Sequence, residues 1–301
     1  MNKSTDVFEL KSHVYLSNSI STYIDEDFII VGTSNSIRTY TYNTSGSVTF
    51  VDSQSISGGC YKIVRDGNYI ITACFSGGIR LYTIDASGNL TFQDSDNISN
   101  GTYWSLWTDS SYIYCVGQLN SRGIITYSID GSDNLVYESR LDINLTYTDI
   151  VGDSGYLYTT VYTSGGQVCS YDGSGTVSYE SAVSDGGSYV EVCLAGNFVI
   201  FASSNYLLSY SKSSGALTLE DNSITGSYSC VTYENSKIFT SKSDTVDKIQ
   251  SYSIDINGDL TLIHSQDIPE TSSSFTAIEA YGDFISCVDN GSGLYLYKYN
   301  G

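Results

Sequence analysis

The chain has 301 residues, with 13 Lys and Arg against 33 Asp and Glu, and its formal charge of −20 would repel a nucleic-acid backbone or an anionic membrane surface. Its 28 tyrosines, abundant Ser, Thr and Gly and single proline make the composition of strands and tight turns, and no window sustains a 3.6-residue apolar period, so almost no helix is expected. No run approaches the roughly 18 apolar residues that span a bilayer, and residues 1–6 lack the apolar core of a signal peptide, so a soluble, unprocessed chain is expected.

In chain order, residues 7–10 (Val-Phe-Glu-Leu) read as a lone strand ahead of the first full unit. The unit itself is clearest at its second occurrence. A strand at 60–64 is followed by an Asp66-Gly67-Asn68 turn and a second strand at 69–73; a third strand at 79–84, an Asp85-Ala86-Ser87-Gly88-Asn89 turn and a fourth strand at 90–93 complete it. The second-strand run recurs at Phe28, Tyr112, Tyr156, Phe198, Lys237 and Phe284, apolar on both faces, as expected of strands covered from both sides.

The tyrosine of the third strand can be followed as Tyr40, Tyr82, Tyr127, Tyr171, Tyr210, Tyr252 and Tyr297, at spacings of 39 to 45 residues. Four strand signals per 40 to 45 residues is the signature of a β-propeller blade, and seven units imply seven blades. The seventh unit stops after its third strand, so residues 5–10 are expected to complete it, with Phe8 standing where Phe50, Phe92, Tyr137, Tyr179, Leu219 and Leu262 stand elsewhere. The expected fold is therefore an all-β, seven-bladed propeller of four-stranded antiparallel blades, one domain over residues 1–301.

Gly67 to Ala73 and Gly77 to Asp85 resemble the repeat of the LVIVD propellers, and residues 82–92 (Tyr-Thr-Ile-Asp-Ala-Ser-Gly-Asn-Leu-Thr-Phe), repeated at 252–261, are similar to that of the lactonase-like seven-bladed propellers. The resemblance covers nearly the whole chain and implies the fold; the activities hosted on it are diverse. A lactonase-type activity implies histidine, arginine and carboxylate groups in a central pocket. Here the two histidines, His13 and His264, fall at or beside fourth strands, the outermost position, and no catalytic residue of that family carries over.

Seven cysteines, Cys74, Cys115, Cys193, Cys230 and Cys287 among them, lie mostly in apolar runs and read as buried free thiols, which points to a reducing compartment. The first strands should line the channel. Aligned, they begin with Ser19, Cys60, Tyr103, Tyr147, Tyr189, Tyr228 and Phe275, and two residues on carry Ser21, Lys62, Ser105, Asp149, Glu191, Cys230 and Ala277. One reading is a funnel lined by Tyr103, Tyr147, Tyr189 and Tyr228 over a charged floor of Lys62, Asp149 and Glu191 that holds a small polar ligand. The other packs the aromatics between blades and leaves the charges in a water-filled channel. Trp104 and Trp107 are either a rim anchor or core filling.

Asp255, Asn257 and Asp259 have oxygen spacing suited to calcium, yet occupy the hairpin-turn slot of every unit. No other metal or cofactor site is expected. Sequons at Asn43, Asn89, Asn97, Asn100, Asn144 and Asn290 are what this composition generates by chance. Regular repeats without catalytic groups favour a non-catalytic interaction or assembly module with a protein partner. A lactonase-type hydrolase is the alternative, with Glu191 or Asp149 as base and Lys62 as electrostatic support.

Overall fold

The alternating runs form twenty-eight strands among the residues that the computed structural model describes, namely 7–98, 101–118, 123–143, 145–163, 165–184, 187–243, 248–268 and 275–301. Pairing is antiparallel throughout and groups the strands into seven sheets of four, the blades of a ring. Blade 1 spans residues 19–55, blade 2 62–96, blade 3 102–142, blade 4 147–183, blade 5 189–225 and blade 6 227–267; blade 7 joins residues 275–299 to the N-terminal strand Phe8–Val14. Second strands sit mid-blade with neighbours on both faces, so Phe28–Thr33 and Phe198–Ser203 are buried at every position.

Each junction between blades has its own apolar core. Phe28, Ile30 and Ile37 of blade 1 meet Ile63, Ile70 and Tyr82 of blade 2, and equivalent clusters fill the other six junctions. The polar turns take part as well. The Phe28 ring lies on the turn glycine of the next blade, Gly88, whose φ of +89° already favours glycine and where a Cβ would stand 2.8 Å from the ring. In blade 3 the turn slot holds Asp133 at φ 62°, and its carboxylate accepts from the Tyr69 hydroxyl at 2.5 Å.

The ring closes through the N-terminal strand, which is longer than residues 7–10 and contains His13. Its register corrects one expectation: Leu10, not Phe8, lies opposite Tyr297. Phe8 pairs with Tyr299 and is buried against Phe239 and Tyr299, with ring centroids at 6.4 and 5.3 Å, whereas Leu10 is exposed like Phe50, Phe92 and Tyr137. Matching by aromatic identity slipped the strand by two residues, which alternation permits because both positions keep the same face. A similar slip affects blade 4, where Cys169 and not Tyr171 stands opposite Leu157 in the tyrosine slot.

One fourth-strand position reaches across every junction. At this slot Asp52, Asp94 and Asp221 each accept the backbone N–H of a leucine in the next blade, Leu90, Leu135 and Leu260, all at 2.9 Å. Ser139, Ser181 and Ser12 instead donate to the turn carbonyls of Gly175, Gly215 and Gly46 at 2.7 to 2.8 Å. The remaining slot is His264, whose Nδ1 is 3.1 Å from the Tyr299 hydroxyl of blade 7. Acceptor side chains thus meet N–H groups and hydroxyls meet carbonyls, so backbone groups at the outer junctions are satisfied from the neighbouring blade.

Candidate functional site

First strands all begin at one face of the ring, because each blade runs antiparallel outward from its inner strand. Near that face the inner strands are bulged: register shifts between Tyr103 and Ser105, Tyr147 and Asp149, and Tyr189 and Glu191, with equivalents in blades 1, 6 and 7. A bulge sets two residues against one and suspends strict alternation. Consecutive residues therefore line the same cavity, as Trp104 with Ser105, Thr148 with Asp149, and Val190 with Glu191 all do. This funnel has a volume of about 270 Å³, and Tyr61, Lys62, Ser229 and Thr276 complete its lining.

Lys62, Asp149 and Glu191 converge in the funnel although they come from blades 2, 4 and 5. Lys62 Nζ lies 3.7 Å from Glu191 Oε1 and 3.4 Å from Glu279 Oε1 of blade 7, so the ammonium ties opposite sides of the ring. Glu279 was not singled out from sequence, yet it stands two residues beyond Ala277 on a channel-facing strand. The carboxylates also hold backbone and hydroxyl donors. Asp149 accepts from the Ser105 hydroxyl at 2.6 Å and from Val192 N–H at 2.9 Å; Glu191 accepts from Val231 N–H at 2.7 Å, and Glu279 from the Thr232 hydroxyl at 3.2 Å.

Three carboxylates around one ammonium set the electrostatics. Burial alone would pull the Lys62 pKa down, but Asp149, Glu279 and Glu191 outweigh it and hold the side chain protonated. Burial pushes Glu191 up to about 8, with Asp149 and Glu279 adding repulsion and Lys62 and the Val231 N–H opposing. Glu279 is also raised, first by burial. Lys62, Glu191 and Glu279 keep between 16% and 27% of their side-chain surface exposed and border the channel, whereas Asp149 is buried.

The four tyrosines do not line the funnel. Tyr103, Tyr147, Tyr189 and Tyr228 are at most 2% exposed and pack within and between blades. Their hydroxyls pair with third-strand groups of the same blade: Tyr103 with Tyr127 at 3.2 Å, Tyr189 with Tyr210 at 2.9 Å and Tyr228 with Tyr252 at 3.0 Å. In blade 4, where Cys169 fills the tyrosine slot, Tyr147 donates instead to Gln167 Oε1 at 2.6 Å. A buried phenol needs a polar partner, and the third strand supplies it. Trp104 lines the funnel, while Trp107 stacks on Tyr114 with centroids 5.8 Å apart.

At the calcium candidate, Asp255 Oδ1 accepts the N–H groups of Asn257 and Asp259 at 2.8 and 3.0 Å. The same bonds recur from Asp85, Asp130 and Asp172, so this arrangement holds the hairpin turn. Among the described residues no group of three or more His, Cys, Asp or Glu is placed to hold a metal, and no helix is long and apolar enough to cross a membrane. His13 stacks on Tyr295 at 4.3 Å and His264 meets Tyr299, both on outer strands away from the funnel. All seven cysteines are free and buried. Residues 5–6 and the sequons at Asn100 and Asn144 lie outside the described residues.

The funnel face also carries exposed apolar side chains. Tyr15, Tyr61, Ile98, Tyr162 and Val190 sit on the connections and strand starts of this face, with exposures from 38% to 73%.

No protein-family model and no curated protein matches the sequence. Solved structures do match, by shape. The β-propeller domain of Cps50 (Swd1) from Myceliophthora thermophila aligns with a TM-score of 0.75 at 10% identity, covering 98% of this chain and 100% of that one. The WD40 domain of Pan2 from Neurospora crassa aligns at 0.73 and 10% identity over 100% and 98% of the two chains. Virginiamycin B lyase from Staphylococcus aureus aligns at 0.72 and 11% identity over 97% and 99%. At these identities the likeness concerns the fold, which WD40 domains and an enzyme share.

Proposed function

We propose that this propeller is a non-catalytic binding module that docks a protein partner on its funnel face. The observation that carries this reading is the set of exposed apolar side chains around the funnel, Tyr15, Tyr61, Ile98, Tyr162 and Val190. Loops on rigid scaffolds are where recognition usually sits, and these five side chains stand on connections and strand starts of one face, around the funnel. WD40 propellers among the structural neighbours support an interaction role. With a charge of −20 the chain favours a partner with a basic or neutral contact patch, and association steered by charge weakens with salt.

The hydrolase reading rests on one specific observation, a carboxyl raised to about 8 beside an ammonium, which is the range of a useful general base. Against it, Asp149 and Glu191 each hold a backbone N–H of the neighbouring blade, so both are engaged in joining blades. A panel of lactones and esters tests the choice. The binding reading expects the purified protein to match buffer; turnover that disappears in a folded Glu191→Gln variant would replace it with the hydrolase.

A further inference from the structure

In blade 2 two cysteines face one another across the inner strands. The register of the other blades shows why: Tyr103 lies opposite Gly117, Tyr147 opposite Val161 and Tyr189 opposite Ser203, just before the bulge. The same slot in blade 2 holds Cys60 and Cys74, and the next pair inward, Lys62 opposite Ala73, matches Ser105 opposite Val116. Residues opposite each other in an antiparallel pair stand about 4.5–5.5 Å apart at Cα, inside the span of a disulfide. Both side chains are buried in the core between blades 1 and 2, and the two thiols are hydrogen-bonded to each other. Cysteine here forgoes a bond that the repeat offers elsewhere. In blades 3, 5 and 6 a tyrosine in the slot of Cys60 pairs its hydroxyl with the third-strand tyrosine, whereas the Tyr82 hydroxyl of blade 2 is left without a partner.

The surroundings divide the two sulfurs. Cys74 receives the Cys60 hydrogen bond, lies 3.2 Å from the Thr72 hydroxyl and has the Arg80 guanidinium nearby; together these outweigh burial and hold its pKa below the ordinary thiol value. Burial pushes the Cys60 thiol well up. Cys74 is thus the better thiolate and Cys60 remains a thiol beside it, the arrangement of an attacking and a resolving sulfur. The cover over the pair is thin. The connection Ser57-Gly58-Gly59 runs over Cys74, where a Cβ on Gly58 would stand 3.0 Å from the Cys74 carbonyl oxygen. Arg80 leads out to the same connection, and its Nη2 donates to the exposed Ser57 hydroxyl at 2.7 Å.

We propose that Cys60 and Cys74 are a peroxide-sensitive dithiol that closes to a disulfide across the inner strands of blade 2, with hydrogen peroxide, an oxidant of about water's size, as the co-reactant. The Cys74 thiolate attacks one peroxide oxygen and the O–O bond breaks; the departing hydroxide takes up the proton given off by Cys74 and leaves as water. The Cys60 sulfur then displaces the hydroxyl of the Cys74 sulfenic acid, which leaves with the Cys60 proton as a second water. Two thiols lose two electrons and two protons, and one peroxide becomes two waters. The site stands whether or not the funnel face docks a protein, because its evidence is the cysteine pair and not the exposed rim.

The test starts from folded protein prepared with reductant, freed of it without air, and treated with hydrogen peroxide. Alkylation in denaturant should then recover five thiols where the untreated protein gives seven, with a mass lower by two hydrogen atoms and a Cys60–Cys74 link in the peptide map. Dithiothreitol should restore all seven. Cys60→Ser removes the resolving sulfur, so dimedone should label Cys74 as a sulfenic acid; Cys74→Ser should form no link. If either variant fails to fold, the peptide map of the unaltered protein decides the matter. Cys230 and Cys287 are the internal control, since they share a core cluster but come from different blades. The proposal is overturned if seven thiols persist after peroxide, if the first link joins any other pair, if the remaining cysteines are oxidised as fast as Cys60 and Cys74, or if Cys74 in folded Cys60→Ser takes no label.

Discussion

Ser12 Oγ donates to the carbonyl oxygen of Gly46 at 2.7 Å, which joins the strand that completes blade 7 to the turn of blade 1. The bond occupies the slot that Ser139 and Ser181 use at other junctions, so the closing junction is built like the rest. Deleting residues 1–14 should therefore open the ring, expose the edge of Gly293–Tyr299 and cost several kcal/mol. Ser12→Ala alone should cost about 1 kcal/mol. Urea unfolding measures both, and an unchanged midpoint on the deletion would contradict closure by this strand.

At the junction of blades 5 and 6, Asp221 is 8% exposed and holds the Leu260 N–H. Asp221→Ala leaves that donor unpaired and should cost about 1–3 kcal/mol, with Asp221→Asn, which keeps an acceptor oxygen, closer to the parent. Burial raises the Asp221 pKa, but the N–H groups of Ser223 and Leu260 more than offset it, and the net is below its ordinary value. Its contribution is thus present above the ordinary carboxylate pKa and lost as pH falls through the lower folded value. Acid unfolding of the Ala variant should lack this component.

Glu191 has the opposite sign. Its folded pKa, raised to about 8 chiefly by burial, means that the native state binds more protons than the unfolded chain between about 4.3, the usual Glu value, and about 8. Stability should fall as pH rises through that window. Glu191→Gln should flatten the decline in Tm without abolishing the fold, and an identical pH profile in both proteins would show that Glu191 does not titrate as described.

The seven cysteines are buried and free, so alkylation in denaturant without reductant should recover all seven thiols. Recovery of a single thiol would mean three disulfides.

Blade number, strand order and ring closure were legible because alternation and turn chemistry repeat seven times. The register of the closing strand was not, since Phe8 and Leu10 share a face and aromatic identity favoured the wrong one. A better signal was present: in each fourth strand the exposed apolar residue is followed two positions on by the junction residue, as Phe50 by Asp52, Tyr137 by Ser139 and Leu262 by His264. Leu10 followed by Ser12 fits that grammar and Phe8 followed by Leu10 does not. In the funnel, Lys62, Asp149 and Glu191 were found by counting two residues along each first strand. Thr148 and Val190 were missed, and Trp104 was left between rim and core, because the bulge turns consecutive residues to one side, and a bulge leaves little mark in sequence. Glu279 lay one step further along the same alternation.

The most direct test of the binding reading is hydroxyl-radical footprinting of the tyrosines in intact source cells and in the purified chain. Tyr15, Tyr61 and Tyr162 lie on the funnel face, whereas Tyr179 on an outer strand and Tyr281 at the opposite face are exposed controls. A docked partner should protect the first three in cells and leave the other two labelled as in the purified protein. Equal labelling of Tyr15, Tyr61 and Tyr162 in the two settings would contradict a partner on this face.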